Sequence, residues 1–82
     1  MQNVQIEFFG RLSDRMGNKL SWEAEEESLT IGHLRSNLAA EYDYDYLLQP
    51  AVRGLIDDEI VPDSSVITSG DLVTFFSPLS GG

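Results

Sequence analysis

Eighty-two residues, 41% of them hydrophobic and including four Phe, three Tyr and one Trp, suffice for one folded domain with one modest core. The absence of cysteine excludes disulfides and thiol chemistry, and no apolar run approaches the ~20 residues that cross a bilayer. Fourteen acidic residues against five basic ones give a net charge of −9, which argues against nucleic acid and anionic membranes as partners, because their phosphates would be repelled.

A basic protein surface suits this charge better, although the same acidity also serves solubility. No basic-then-apolar leader follows Met1, so the cytoplasm is the expected location. Val4-Gln5-Ile6-Glu7-Phe8-Phe9 alternates apolar and polar residues, the period of a half-buried strand. Val4, Ile6 and Phe8 share one face. Phe9 falls on the other with Gln5 and Glu7, as an exposed aromatic or part of a contact patch. Gly10 to Asn18 reads as a loop with Leu12 and Met16 tucked beneath it and room for a helical turn between them. Residues 19–24 alternate again, with Leu20, Trp22 and Ala24 inward, which predicts an antiparallel hairpin with a long connection. Glu25-Glu26-Glu27 reads as a solvated loop.

Leu29 is expected to close over the core, and Thr30 is a good N-cap. Ile31, Leu34, Leu38 and Tyr42 then recur at three- and four-residue steps, which predicts an amphipathic helix of about three turns. His33, Arg35, Ser36 and Asn37 fall on its wet face. His33 is the single histidine, and no Cys, Ser or carboxylate is paired with it, so it reads as solvated rather than as a base. Residues 41–46 read as a helix end and a polar loop. A short strand over 51–56 turns at Asp57-Asp58-Glu59 and returns as Ile60-Val61. Three adjacent carboxylates on one turn cannot all converge on an ion, so a solvated turn is expected there rather than a metal site.

Val66-Ile67 caps the core, and Gly70 serves a turn that needs positive φ. Leu72 to Phe76 is the last strand, with Val73 and Phe75 inward and Leu72, Thr74 and Phe76 outward. A helix crossing one face of such a sheet is an α+β layout. Parallel pairing of the first and last strands would set Phe9 and Phe76 in one exposed aromatic patch. The chain thus divides into a domain at 1–76 and a flexible tail at 77–82. Pro78 has no N–H and stops sheet pairing, while Ser77 before it is held extended. Six extended residues reach roughly 20 Å. Terminal Gly and Ser are commonly just solvated chain. Here Gly81 and Gly82 are the last residues and follow a strand anchored in the core, so they can thread a narrow channel and present a carboxylate.

Phe8-Phe9 with Gly10, Leu12 and Gly17 resembles the opening of the molybdopterin synthase small subunit, the MoaD family. The ending from Ser69 resembles it more specifically: Gly70-Asp71, an apolar strand, Phe75-Phe76, a proline, two variable residues and Gly81-Gly82. Two positions depart from the pattern. Ser77 stands where the family usually has the first of two prolines, and Asp57 where an Asn is common.

The resemblance implies a ubiquitin-like β-grasp fold, a mixed sheet with one main helix across it, and the role of a non-catalytic sulfur carrier. Gly82 would bear the carboxyl group that a ubiquitin-activating-type enzyme adenylates with ATP. A sulfur donor protein would then supply the thiocarboxylate sulfur. Gly81 would permit close passage, and Pro78, Leu79 and Ser80 would line the inserted tail. Phe76, with Phe9, would pack on the large synthase subunit, which uses the sulfur to build the molybdopterin dithiolene. No cofactor bound by the chain itself is implied. An ionised α-carboxylate, pKa about 3.5, is unreactive until activated, and this chain supplies no group to activate it. Carriage for thiazole, cysteine or tRNA thiolation, protein modification through isopeptide bonds, and an interaction domain with an inert tail are the alternatives.

Overall fold

The alternating segments form an antiparallel hairpin, β1 (Gln2–Phe8) with β2 (Lys19–Ala24), joined through the short helix α1 (Arg11–Met16). The computed structural model describes residues 2–24 and 28–77. The expected Glu25-Glu26-Glu27 loop and the tail at 78–82 lie outside the described residues. After β3 (Leu29–Thr30) come α2 (Ile31–Glu41), a 3-10 helix at Asp45–Leu48, β4 (Arg53–Ile56), β5 (Glu59–Val61), β6 (Val66–Ile67) and β7 (Leu72–Phe76). Five strands form one mixed sheet in the order β2-β1-β7-β4-β5, and β3 pairs with β6 apart from it. The last strand therefore lies in the middle, parallel to β1 and antiparallel to β4. Among the described residues no helix is long and apolar enough to cross a membrane.

Two periodicities meet in the core. Val4, Ile6 and Phe8 of β1 face the same side as Val73 and Phe75 of β7, and all are buried. Ile31, Leu34, Leu38 and Ala39 bury the facing side of α2 against them. Phe8 and Phe75 are register partners with ring centroids 6.1 Å apart. Thr30 caps α2, its Oγ1 accepting the His33 N–H at 3.1 Å. The helix can approach the sheet closely because position 54 has no side chain. A Cβ there would stand 2.7 Å from Ile31 Cγ2.

Several expectations are corrected. Arg35 is buried rather than wet, because its flank of α2 faces the chain entering β4. Its Nη2 donates to the Val52 carbonyl at 2.8 Å and pairs with Asp63 at 3.2 Å, and its guanidinium lies 5.8 Å from the Phe75 ring centre. Thr74 faces outward yet is also buried, since β1 and β4 flank it on both sides. Leu20 and Trp22 face inward as expected, packed against the core opposite Ile6 and Val4, and are half-buried because β2 is an edge strand. The strand expected from 51 begins at Arg53, with Val52 already buried before it. The polar loop after α2 contains the 3-10 helix, whose Leu47 is fully buried. Val66 is exposed and Ile67 alone caps the core.

The turn between β4 and β5 is tighter than three acidic residues. Asp57 and Asp58 both have positive φ, 51° and 72°, the signature of a two-residue type I′ hairpin. Asp57 is committed to structure: its N–H donates to the Leu72 carbonyl at 2.9 Å, and its Oδ1 accepts the Leu72 N–H at 3.2 Å.

Candidate functional site: the tail root and the outer sheet face

The sheet has one face toward α2 and one away from it. On the outer face the register sets Ile60 of β5, Leu55 of β4 and Thr74 of β7 in one row. Leu72 and Phe76 flank Thr74 along β7, and Arg53 pairs with Phe76. Ile60 is 60% exposed, and Leu55, Leu72 and Phe76 are half-buried. Thr74 forms the floor between them. Two-residue alternation in β7 is what puts large apolar groups on this side, where a purely solvated face would carry polar ones.

Phe9 extends the patch. β1 ends at Phe8, but the Phe9 N–H still donates to the Phe75 carbonyl at 3.1 Å. One further step of the parallel register sets Phe9 beside Phe76, and Phe9 is 56% exposed. The expected parallel pairing of the first and last strands is thus present. Gly10 follows at φ 68° and ψ −141°, backbone that only glycine adopts readily, and turns the chain into α1 at this point.

The tail leaves from the end of β7, beside Phe9 and Gly10. Ser77 is its last described residue, half-buried, with Oγ 2.8 Å from the Tyr46 Oη. The Arg11 guanidinium lies 5.2 Å from the Tyr46 ring centre, and Arg15 lies 5.3 Å from that of Tyr44. The two tyrosine rings are 5.8 Å apart. Arg15 also donates to the Tyr42 carbonyl at 2.7 Å. Tyr44 keeps its proton above the usual phenol pKa of 10.0, chiefly through burial and then through Tyr46, partly opposed by Arg11 and Arg15.

Of the residues expected at the site, Phe76 lies on the outer face of β7 and Phe9 one step past the end of the β1–β7 pairing, at the same end of the sheet. Pro78, Leu79, Ser80, Gly81 and Gly82 lie outside the described residues. The tyrosine–arginine cluster was not expected as part of the site. Its signals are present in the sequence: Tyr42, Tyr44 and Tyr46 alternate with Asp43 and Asp45, and Arg11 and Arg15 stand four apart, on one helix face. His33 is exposed on α2. A hollow of about 180 Å³ beside Arg35, Val52, Arg53 and Asp63 falls below the ~300–1,000 Å³ of ordinary ligand pockets, and Arg35 within it is already paired.

A small mixed-sheet domain with its last strand at the centre carries half-buried Phe76 and Leu72 on the outer face of that strand, up to Ser77. Residues 6–82 match the ThiS family, and the chain belongs to it. The chain is accordingly a ubiquitin-like sulfur carrier of the ThiS/MoaD type, with the β-grasp fold. No curated protein sequence matches it. Among solved structures it is similar to small archaeal modifier protein 1 (SAMP1) of Haloferax volcanii, with a TM-score of 0.79 and 18% identity over 98% of this chain and 99% of that one. It is similar to molybdopterin converting factor subunit 1 of Pyrococcus furiosus, with a TM-score of 0.81 and 15% identity over 96% and 100%. It also resembles a chain from the complex of molybdopterin-converting factor subunits 1 and 2 of Helicobacter pylori, with a TM-score of 0.67 and 19% identity over 99% and 100%.

Proposed function

We propose that the chain is the small subunit of a molybdopterin synthase and works in the cytoplasm. The Gly82 carboxylate attacks the α-phosphate of ATP on a ubiquitin-activating-type enzyme, and pyrophosphate leaves. A persulfide on a donor protein displaces AMP to give an acyl disulfide. A second thiol on the donor or the activating enzyme cleaves its S–S bond, leaving the thiocarboxylate on Gly82 and a disulfide behind. The large synthase subunit takes up residues 78–82 with Gly81 and Gly82 innermost, and the sulfur passes to a pyranopterin precursor. Phe76, Phe9, Leu72 and Leu55 dock on that subunit. The family match running through Gly82 supports the carrier role, and the likeness to molybdopterin converting factor subunit 1 supports this pathway for it. The outer apolar face at the tail root supports a protein partner.

The test is intact-mass measurement after incubation with ATP, an activating enzyme and a sulfur donor. The expected product carries one sulfur in place of one oxygen, and it restores cofactor synthesis to a strain lacking the small subunit. A thiocarboxylate that forms without rescue would reject the molybdopterin assignment and leave carriage to another thiolation pathway. The likeness to SAMP1 supports a second reading, in which the same adenylate is captured by a target lysine. Gly-Gly remnants on cellular lysines, dependent on Gly82, would establish it.

A further inference from the structure

We propose that Tyr46 is a positioning residue that fixes the direction in which the tail leaves the domain, through its hydrogen bond with Ser77. This rests on the carrier reading above. The sheet controls the chain as far as Phe76, whose partner Arg53 closes the β4–β7 register. Ser77 is the first residue past that pairing. Rotation at such a root swings everything attached to it, and a terminal segment without anchors samples many directions. Here the Ser77 Oγ meets the Tyr46 Oη at 2.8 Å in a part-buried setting.

The anchor is itself fixed. Tyr46 belongs to the 3-10 helix Asp45–Leu48, which is pinned to the core by fully buried Leu47. Arg11 lies over its ring, the Tyr44 ring packs against it at a tilt of 36°, and Arg15 lies over Tyr44 in turn. Arg15 ties this group to the carbonyls of Tyr42 and Asp43 at the end of α2. Three segments remote in sequence thus converge on one hydroxyl pair across 31 residues of chain separation. Such a network holds position better than one exposed contact does. Nothing in the core requires the phenol oxygen, because the Tyr46 ring alone makes the arginine and tyrosine contacts. The hydroxyl is the part that reaches the tail.

A carrier whose tail points the right way only part of the time binds its enzymes with an apparent affinity reduced by that fraction. Once the tail is seated, chemistry proceeds as before. Tyr46→Phe should therefore raise KM for the carrier without changing kcat. A part-buried neutral hydrogen bond corresponds to a change of about threefold to tenfold.

The test uses the full chain, an ATP-dependent activating enzyme that adenylates the wild type, and ATP–pyrophosphate exchange as readout. Y46F should raise KM about threefold to tenfold, and Y46F/S77A should be no worse than S77A alone, since both substitutions remove the Tyr46–Ser77 bond. Unchanged KM in Y46F, additive losses in the double, or a fall in kcat alone would overturn the proposal. A second measurement needs no enzyme: the ¹⁵N heteronuclear NOE at Ser77 should match that of β7 in the wild type and fall in Y46F. Equal values in the two proteins would overturn the proposal. Failure of every activating enzyme to adenylate the wild type would reject the carrier reading alone, and the NOE comparison would still decide the role of Tyr46.

Discussion

Gly54→Ala adds one methyl group where α2 meets the sheet, and its effect can be worked from distances. The new Cβ would lie 2.7 Å from Ile31 Cγ2 and 3.4 Å from Phe75 Cε1. Carbon atoms pack at ~3.5–4.0 Å, so Ile31 must retreat by about 0.8 Å or more. It has nowhere to go: Ile31 is fully buried, its methyl is a branch at Cβ, and it sits in the first turn of α2 beside the Thr30 cap. Two effects compete. Replacing glycine within a strand gains about 0.5–1 kcal/mol from reduced unfolded-chain entropy. Overpacking a tight core costs about 1–3 kcal/mol. The clash wins, leaving a net loss on the order of 1–2 kcal/mol, or a fall in Tm of roughly 5–15 °C for a domain of this size. Thermal and urea unfolding followed by circular dichroism measure it, the second as a lower midpoint at unchanged slope. Ile31→Ala alone should cost about 2–5 kcal/mol as a cavity. In the double variant the new methyl finds that cavity, so the losses should fall short of their sum by about 1 kcal/mol or more. Strict additivity, or a Gly54→Ala variant as stable as the wild type, would refute the close-approach reasoning.

Phe76→Ala should weaken capture by a large synthase subunit about tenfold or more, as removal of a central aromatic anchor does, while Ile60→Ala at the far edge of the patch costs less. Isothermal titration of the two variants compares them, and equal losses would contradict a patch centred on the tail root. Thr30→Ala leaves the His33 N–H without its side-chain acceptor and should cost ~1 kcal/mol in urea unfolding. The raised pKa of Tyr44 gives a signed pH dependence. The folded state holds this proton more tightly than the unfolded chain does, so stability is intact below the ordinary phenol pKa and declines as pH rises past it. Tyr44→Phe should flatten the decline above pH 10, seen as Tm against pH.

The fold was legible where one physical signal sufficed. Strict alternation at 4–9 and 19–24 gives the hairpin, and the three- and four-residue spacing from Ile31 gives α2. Terminal apolar alternation also separates Val73 and Phe75 from Phe76. Readings failed where a side chain answers to tertiary neighbours instead of to its own element. Arg35 lies on the flank of an amphipathic pattern, and charge alone assigns it to water. Only the carbonyls of Val52 and Gln49 and the carboxylate of Asp63, all distant in sequence, make its burial tolerable. Thr74 is polar and outward, and it is buried because β7 is central, a fact of strand order. The Tyr46–Ser77 contact joins positions 31 apart with no shared period, so no pattern along the chain reveals it.

Net charge misleads for a related reason. At −9 the chain suggests a basic protein partner, yet the register sets one of its five cations at the tail root. Because β4 runs antiparallel to β7, the start of β4 lies beside the end of β7, which brings Arg53 next to Phe76 at the tail root. The same reversal carries Asp57, Asp58 and Glu59 to the other end of β7, beside Leu72 and Asp71. Four strand steps, ~13 Å, separate the two ends. That distance exceeds the ~8–10 Å Debye length of physiological salt, so Asp57, Asp58 and Glu59 are largely screened from the tail root. A partner docked at the root therefore meets Arg53 without those three carboxylates. Strand direction, which no residue count contains, decides which charge the partner meets first.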